Sequence, residues 1–294
     1  MRGTTSLALA ALASFLAPLA ARAADCDEAC LNGLMDKSLA ALTAKQPDTL
    51  LWANHVRFTE NGVSLMIGDG LWGSIGAASP RTLFRIADSA TGNAFWFGIL
   101  NDHDEPGLAA IRIATTDGRI ADIEVSMARE GNPGRFGDVA RYNAPPTPRS
   151  SSGIGRDLLM GNANAYLDAK QGKAGTTPRF TSGCSAHENG VSLNQEAGKR
   201  ASCRTLIASG TYRGIKTIRD RRFPFVDPIR GIIVAYYQQD IPALAGSINA
   251  RHRAGEPSFP QTRQVVELLQ FDGSAIERTD SLSVYQTFGM PSAW

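Results

Sequence analysis

The 294-residue sequence predicts an α+β fold: two cone-shaped barrels in tandem, each formed by helices packed on a strongly bent antiparallel sheet. Three observations carry this. The hexapeptide Glu60-Asn61-Gly62-Val63-Ser64-Leu65 recurs as Glu188-Asn189-Gly190-Val191-Ser192-Leu193, 128 positions later. A period of that length implies two copies of one domain, not a solenoid of short repeats. Each copy follows a helix-like run, ending Leu42-Thr43-Ala44-Lys45-Gln46 in the first and Leu167-Asp168-Ala169-Lys170-Gln171 in the second. Each also closes on an Asp-Gly pair between strand-like runs, Asp117-Gly118 and Asp272-Gly273, a dipeptide suited to tight hairpins because both residues tolerate positive φ.

Taken in order, residues 1–23 read as a secretory signal peptide: Arg2, an apolar stretch over 7–19, and Ala21-Arg22-Ala23 before the cleavage point. The apolar stretch falls short of the roughly 20 residues that span a bilayer, so a periplasmic or secreted protein is expected, with no membrane association after cleavage. A first domain follows over 24–130. Its helix, 25–45, has Leu31, Leu34, Met35, Leu39 and Leu42 on one stripe. Strands are expected at 56–59, 82–87, 94–100, 108–115 and 120–127, with a tight turn at Asn61-Gly62. Residues 131–155, with Pro133, Pro145, Pro146, Pro148 and a serine run, read as a linker. The second domain, 156–294, restarts with a helix over 156–171 and continues with strands at 221–226, 231–238, 263–271 and 275–285. The two domains are expected to pack as an intramolecular pseudo-dimer, and further oligomerisation is left open.

Charge and cysteine content narrow the partners. There are 30 basic and 28 acidic residues, and loss of Arg2 and Arg22 with the signal leaves a neutral protein without a face to match a phosphate backbone. Nucleic acid is not an expected partner. The four cysteines of an exported chain suggest two disulfides. Of three connectivities, Cys184 to Cys203 is favoured because residues 195–202 read as a loop that needs a staple, which leaves Cys26 to Cys30. A zinc site lacks a second matched pair.

The strings Cys26-x-x-x-Cys30-Leu31, Arg57-Phe58-Thr59-Glu60-Asn61-Gly62, Gly68-Asp69-Gly70-Leu71-Trp72 and Asp117-Gly118-Arg119-Ile120-Ala121-Asp122-Ile123-Glu124 resemble exported bacterial and fungal members of the nuclear transport factor 2-like (NTF2-like, or SnoaL-like) superfamily. The resemblance covers residues 26–130; the second copy has no counterpart of Asp69-Gly70-Leu71-Trp72 and has an extra loop at 195–202. It implies either a cofactor-free enzyme of the isomerase, dehydratase or lyase kind, or a binding or assembly module with a plugged cone. Fold alone does not choose between them.

Enzymatic members set a carboxylate or histidine base inside an apolar cone, where burial moves its pKa toward neutrality. The candidate bases are His55, Glu60 and His187. On a strand, His55 and Glu60 face opposite sides, and Glu60-Asn61-Gly62 also reads simply as a turn. Trp52, Trp72 and Trp96 are candidates for contact with a flat apolar ligand, against the commoner fate of filling the core. In Phe95-Trp96-Phe97, alternation sends Trp96 opposite its neighbours. Arg222 and Tyr236 are candidates for clamping a phenolic or anionic ligand, with a solvated strand edge as the plainer alternative. Gly68-x-Gly70-x-x-Gly73 matches a dinucleotide fingerprint, but no βαβ unit surrounds it, so neither cofactor nor metal is expected. The leading expectation is a cofactor-independent lyase or isomerase acting on a small apolar, aromatic or lignin-like molecule. The alternative is a non-catalytic periplasmic binding or assembly module.

Overall fold

A computed structural model describes residues 26–132, 134–142, 154–175, 177–196, 201–242 and 259–294. The signal segment, residues 143–153 of the expected linker and residues 197–200 of the extra loop lie outside the described residues. No helix among the described residues is long and apolar enough to cross a membrane.

The first domain runs α1 (Glu28–Ala44), β1 (Trp52–Glu60), β2 (Val63–Leu65), α2 (Leu71–Ser74), β3 (Arg81–Asp88), β4 (Asn93–Asp102), β5 (Glu105–Thr116) and β6 (Arg119–Ala128). The second runs α3 (Arg156–Lys170), β7 (Phe180–Glu188), β8 (Val191–Ser192), α4 (Leu193–Glu196), α5 (Cys203–Ala208), β9 (Thr217–Asp227), β10 (Ile232–Ile241), β11 (Gln261–Asp272) and β12 (Ala275–Thr287). The two six-stranded sheets have the same order, β2-β1-β6-β5-β4-β3 and β8-β7-β12-β11-β10-β9. Both are mixed, because β1 runs parallel to β6 and β7 parallel to β12 while every other pair is antiparallel. The α+β tandem is therefore as expected, with one parallel pair per sheet where a purely antiparallel meander was predicted. Strand β7 was missed: Gly183, Cys184 and Ser185 interrupt the apolar alternation that marks a strand.

The repeated hexapeptide forms the same turn twice. Asn61 and Gly62 have φ of 50° and 76°, Asn189 and Gly190 of 46° and 80°. In each copy the asparagine side chain then pairs with the neighbouring strand as a backbone unit would. Asn61 Oδ1 accepts from Met127 N at 2.8 Å, and Asn189 Oδ1 accepts from Ser283 N at 2.9 Å. The closing hairpins differ: Asp117 and Gly118 both have positive φ, whereas the second turn centres on Gly273-Ser274, with Asp272 already paired to Ala275. The helices also align differently from their terminal strings. Buried positions 31, 34, 35, 38, 39 and 42 of α1 match 159, 162, 163, 166, 167 and 170 of α3 at the offset of the hexapeptide. The Leu-x-Ala-Lys-Gln strings are nearly one turn out of that register.

Both disulfides have the predicted connectivity, Cys26–Cys30 and Cys184–Cys203, with Cα atoms 5.3 and 5.5 Å apart. Cys26 precedes Asp27, the N-cap of α1 that accepts from Cys30 N at 2.8 Å, so this bridge ties the chain entry to the first helical turn.

Each sheet buries two faces. The concave faces close over α1 and α3 around separate cores. The convex faces meet in a third core, where Phe95, Phe97 and Leu108 pack with Phe225, Val234 and Val266. Aromatic contact of Phe95 with Phe225, 5.8 Å between centroids, crosses this seam. Polar ties flank it: Glu124, fully buried, accepts from Arg112 at 3.1 Å in its own sheet and from Arg222 at 2.7 Å across the seam. Within the stretch read as linker, residues 134–142 pack on both domains: Gly137 N donates to Asn189 O, and Arg81 donates to the carbonyls of Val139 and Tyr142.

Candidate functional site

The concave side of the second sheet holds a cavity of about 230 Å³. The first domain packs the matching stretch of its sheet around a large apolar side chain. Strand pairing sets Trp96 opposite Ile111, five residues before the end of β5, and sets Ala235 opposite Glu267, five residues before the end of β11. By the same count Gly98 corresponds to Tyr237. In domain 1 the fully buried indole of Trp96 lies over Gly98, where an added Cβ would sit 2.4 Å from the ring, and its Nε1 donates to Thr82 Oγ1 at 2.8 Å. Domain 2 has Ala235 in place of that indole and Tyr237 in place of Gly98, both packed in its core, while β10 reaches the cavity with Gln239 and Ile241.

The polar wall of the cavity is a buried cluster. Glu267 accepts from the Tyr166 hydroxyl at 3.0 Å, from the Tyr237 hydroxyl at 2.5 Å and from Lys170 Nζ at 3.2 Å. Lys170 also donates to the Tyr237 oxygen at 2.8 Å. At matching positions domain 1 has Leu42 and Ile111, so an ion pair replaces an apolar contact. Burial, reinforced by the Glu267 charge, pushes the Tyr166 and Tyr237 hydroxyls well above the ordinary phenol range, and burial does the same at Tyr212. These phenols stay protonated, and those of Tyr166 and Tyr237 donate to Glu267.

Strands β7, β11 and β12 form the opposite polar group. Glu188 accepts from Arg135 at 3.0 Å, from Arg263 at 3.3 Å and from the Ser283 hydroxyl at 2.8 Å. Burial alone would raise this carboxyl, but the two guanidiniums and the hydroxyl outweigh it and hold Glu188 below the usual carboxylate range. His187 also lines the cavity. Burial lowers its pKa, more than the attraction of Asp280, 3.5 Å from Nδ1, raises it. Asp280 is itself engaged by Arg278 at 2.6 Å and by the Tyr142 hydroxyl. Nδ1 of His187 is buried without a hydrogen-bond partner, leaving a neutral imidazole at the cavity wall.

Of the residues singled out from sequence, His187 alone reaches this cavity. His55 is exposed on β1. Glu60 caps α2, accepting from Leu71 N at 2.6 Å, and pairs with Arg129 at 2.9 Å. The Gly-rich string before it is explained by that contact, since a Cβ on Gly70 would lie 2.4 Å from the Glu60 carboxylate. Trp52 donates to Pro47 O and packs on the first core, while Trp72 and Trp96 are within it. Arg222 and Tyr236 face the interdomain seam, where Arg222 meets Glu124 and the rings of Tyr236 and Trp294. Alternation decides this: Tyr237, next in sequence, takes the opposite side and packs in the domain 2 core. Lys170 and Tyr166 of α3 and Glu267 of β11 escaped notice as site residues because the two elements lie about a hundred residues apart in the chain. The one available signal was a charged residue on an otherwise apolar face, Lys170 on α3 and Glu267 between Val265 and Leu269.

A family model described as a domain of unknown function (DUF8021) matches residues 155–283, which span most of domain 2. No curated protein matches the chain by sequence. Among solved structures, a ketosteroid isomerase candidate from Kribbella flavida DSM 17836 aligns over 41% of this chain and 93% of its own, at 16% identity and a TM-score of 0.31. AusH from Aspergillus nidulans aligns over 45% of this chain and 86% of its own, at 14% identity and a TM-score of 0.30.

Proposed function

We propose that the chain is an exported tandem of NTF2-like cones in which domain 2 performs cofactor-independent acid–base chemistry, of the lyase or isomerase type, on a small molecule. One observation carries the reading: a neutral, half-buried His187, the Lys170 ammonium and the buried Tyr212 phenol line one cavity in domain 2, and the position of Lys170 is held in domain 1 by the apolar Leu42. A neutral imidazole accepts a proton from a substrate carbon or hydroxyl without first losing its own. Donors fixed in a low-dielectric wall stabilise the charge that then develops on a substrate oxygen. Two disulfides support an oxidising destination.

A second reading, a binding module without turnover, is favoured by the closure of the Lys170–Glu267–tyrosine cluster on itself, which leaves Glu267 no free role as a base. The test is incubation of the mature protein with aromatic diols, dimeric phenols and cyclic ketones, followed by mass spectrometry. Loss of water or formaldehyde, or rearrangement at constant mass, is expected for wild type and for the exposed control His55→Asn, and is expected to vanish in His187→Asn. Retention of a compound without turnover moves the assignment to the binding module. Turnover undiminished in His187→Asn overturns the role of His187.

A further inference from the structure

The charge of the domain 2 cavity is at odds with a purely apolar ligand. Among the described residues its lining includes four cationic side chains, Arg135, Lys170, Arg213 and Arg263, against two carboxylates, Glu188 and Glu267. Lys170 is matched by Glu267 at 3.2 Å. Glu188 faces both Arg135 and Arg263, at 3.0 and 3.3 Å, and Arg135 is engaged elsewhere as well, so the cations left to a ligand are Arg213 and Arg263. Arg213 is exposed and has no carboxylate partner among the described residues. His187 is neutral and adds nothing to either side.

Arg263 sharpens the point. It is 8% exposed; Nη1 reaches Glu188, Nη2 donates to the Tyr285 hydroxyl at 2.6 Å, and Nε is buried without a hydrogen-bond partner. An orphaned donor on a buried cation is costly unless a ligand or water satisfies it, and a guanidinium matches a planar carboxylate best. Size limits the rest of the ligand. A cavity of about 150 Å³ admits benzene, so 230 Å³ accommodates one ring with a short substituent. Leu193, Ile215, Ile241 and Val265 supply an apolar wall for such a ring.

We infer that the domain 2 cavity takes a small carboxylate, a single ring or its equivalent bearing one anionic group directed at Arg263 and Arg213. The inference rests on the reading of this cavity as the functional site and adds the class of molecule that fills it.

Titration calorimetry of the mature protein with benzoate, benzamide and phenyl phosphate, with the His187 imidazole followed by NMR, tests it. Benzoate is expected to bind at least tenfold more tightly than benzamide, to weaken as salt is raised, and to shift the His187 resonances. Arg263→Gln is expected to weaken benzoate at least fivefold with benzamide unchanged. Should that variant fold poorly with Glu188 left short of a partner, the exposed Arg213→Ala provides the same comparison, with loss of at least twofold. Equal binding of benzoate and benzamide, both shifting His187, overturns the anionic class while the cavity remains the site. Tighter binding of phenyl phosphate overturns carboxylate in favour of a phosphoryl ligand. If no probe shifts His187, the reading of the cavity as the site fails and this inference falls with it.

Discussion

Replacement of Lys170 by methionine isolates the cost of the buried cluster. Lys170 and Glu267 are 5% and 1% exposed, and their Nζ–Oε2 distance is 3.2 Å. Removing one member of a buried ion pair leaves an uncompensated charge and typically costs about 3–5 kcal/mol. For a domain of this size one kcal/mol corresponds to roughly 2–4 °C, so Lys170→Met is expected to lower the melting temperature of domain 2 by about 6–20 °C. Domain 1 shows the apolar solution at the same positions, Leu42 and Ile111. Lys170→Met/Glu267→Leu should therefore recover about half of the loss. The Tyr166 and Tyr237 hydroxyls lose their acceptor, at about 1–3 kcal/mol each. The adjoining cavity can admit water, which favours the lower end, so a deficit of about 2 kcal/mol should remain. Adding Tyr166→Phe and Tyr237→Phe should bring the protein within about 1 kcal/mol of wild type. Urea denaturation combined with hydrogen exchange of the β11 amides reads domain 2 separately from domain 1. A cost below about 1 kcal/mol for Lys170→Met, or a double variant less stable than the single one, would refute the ion-pair reasoning.

Further outcomes are expected. Burial lowers the folded-state pKa of His187 beneath its ordinary 6.5, so the unfolded chain binds that proton more readily. Its contribution is complete above pH 6.5 and is lost as pH falls from there toward the folded pKa; urea midpoints between pH 5 and 7.5 should show a shallower pH slope in His187→Gln than in wild type. Arg222→Met leaves fully buried Glu124 with Arg112 as its sole arginine partner among the described residues, and should destabilise the interdomain seam by about 3 kcal/mol, read as earlier thermal loss of near-ultraviolet circular dichroism. Trp294→Ala removes a ring that lies 3.5 Å from the Arg57 guanidinium carbon and 4.4 Å from that of Arg112; a smaller loss of about 1 kcal/mol is expected in the same measurement. Replacing both Cys184 and Cys203 by serine opens a bridge that spans 19 positions and should cost about 3 kcal/mol, with the midpoint no longer sensitive to reductant at this site.

Much of the architecture was legible because it follows from local chemistry. The stripe of Leu31, Leu34, Met35, Leu39 and Leu42 specifies α1, and the Asn-Gly and Asp-Gly pairs specify turns through the few residues that accept positive φ. The duplication showed through the hexapeptide because Asn61 and Asn189 each form the same side-chain bridge to a neighbouring strand. The disulfide pairing followed from compartment and loop length. The hairpin turn at Gly273-Ser274 was misplaced by one residue, since Asp272-Gly273 satisfies the same local preference as Asp117-Gly118 and strand register decides between them.

The site was mostly illegible for the opposite reason. Glu60, Trp72 and Trp96 have the residue types of a binding pocket, yet the tertiary structure uses them to cap a helix and to fill a cone. Arg222 and Tyr236 lie one strand pleat away from the cavity and face the other domain instead. His187 stands out in sequence as a histidine beside the repeated turn, and it lies at the cavity wall. The buried cluster nearby comes from α3, β10 and β11, brought together over separations of up to about a hundred residues. By itself the sequence determined the class of fold, its duplication, its turns and its disulfides, all consequences of short-range preferences. How each cone is filled depended on the packing of one strand pair against another: a tryptophan over a glycine in domain 1, an alanine and a tyrosine beside a buried glutamate in domain 2. Volume and charge at a point enclosed by distant segments are set only when those segments meet.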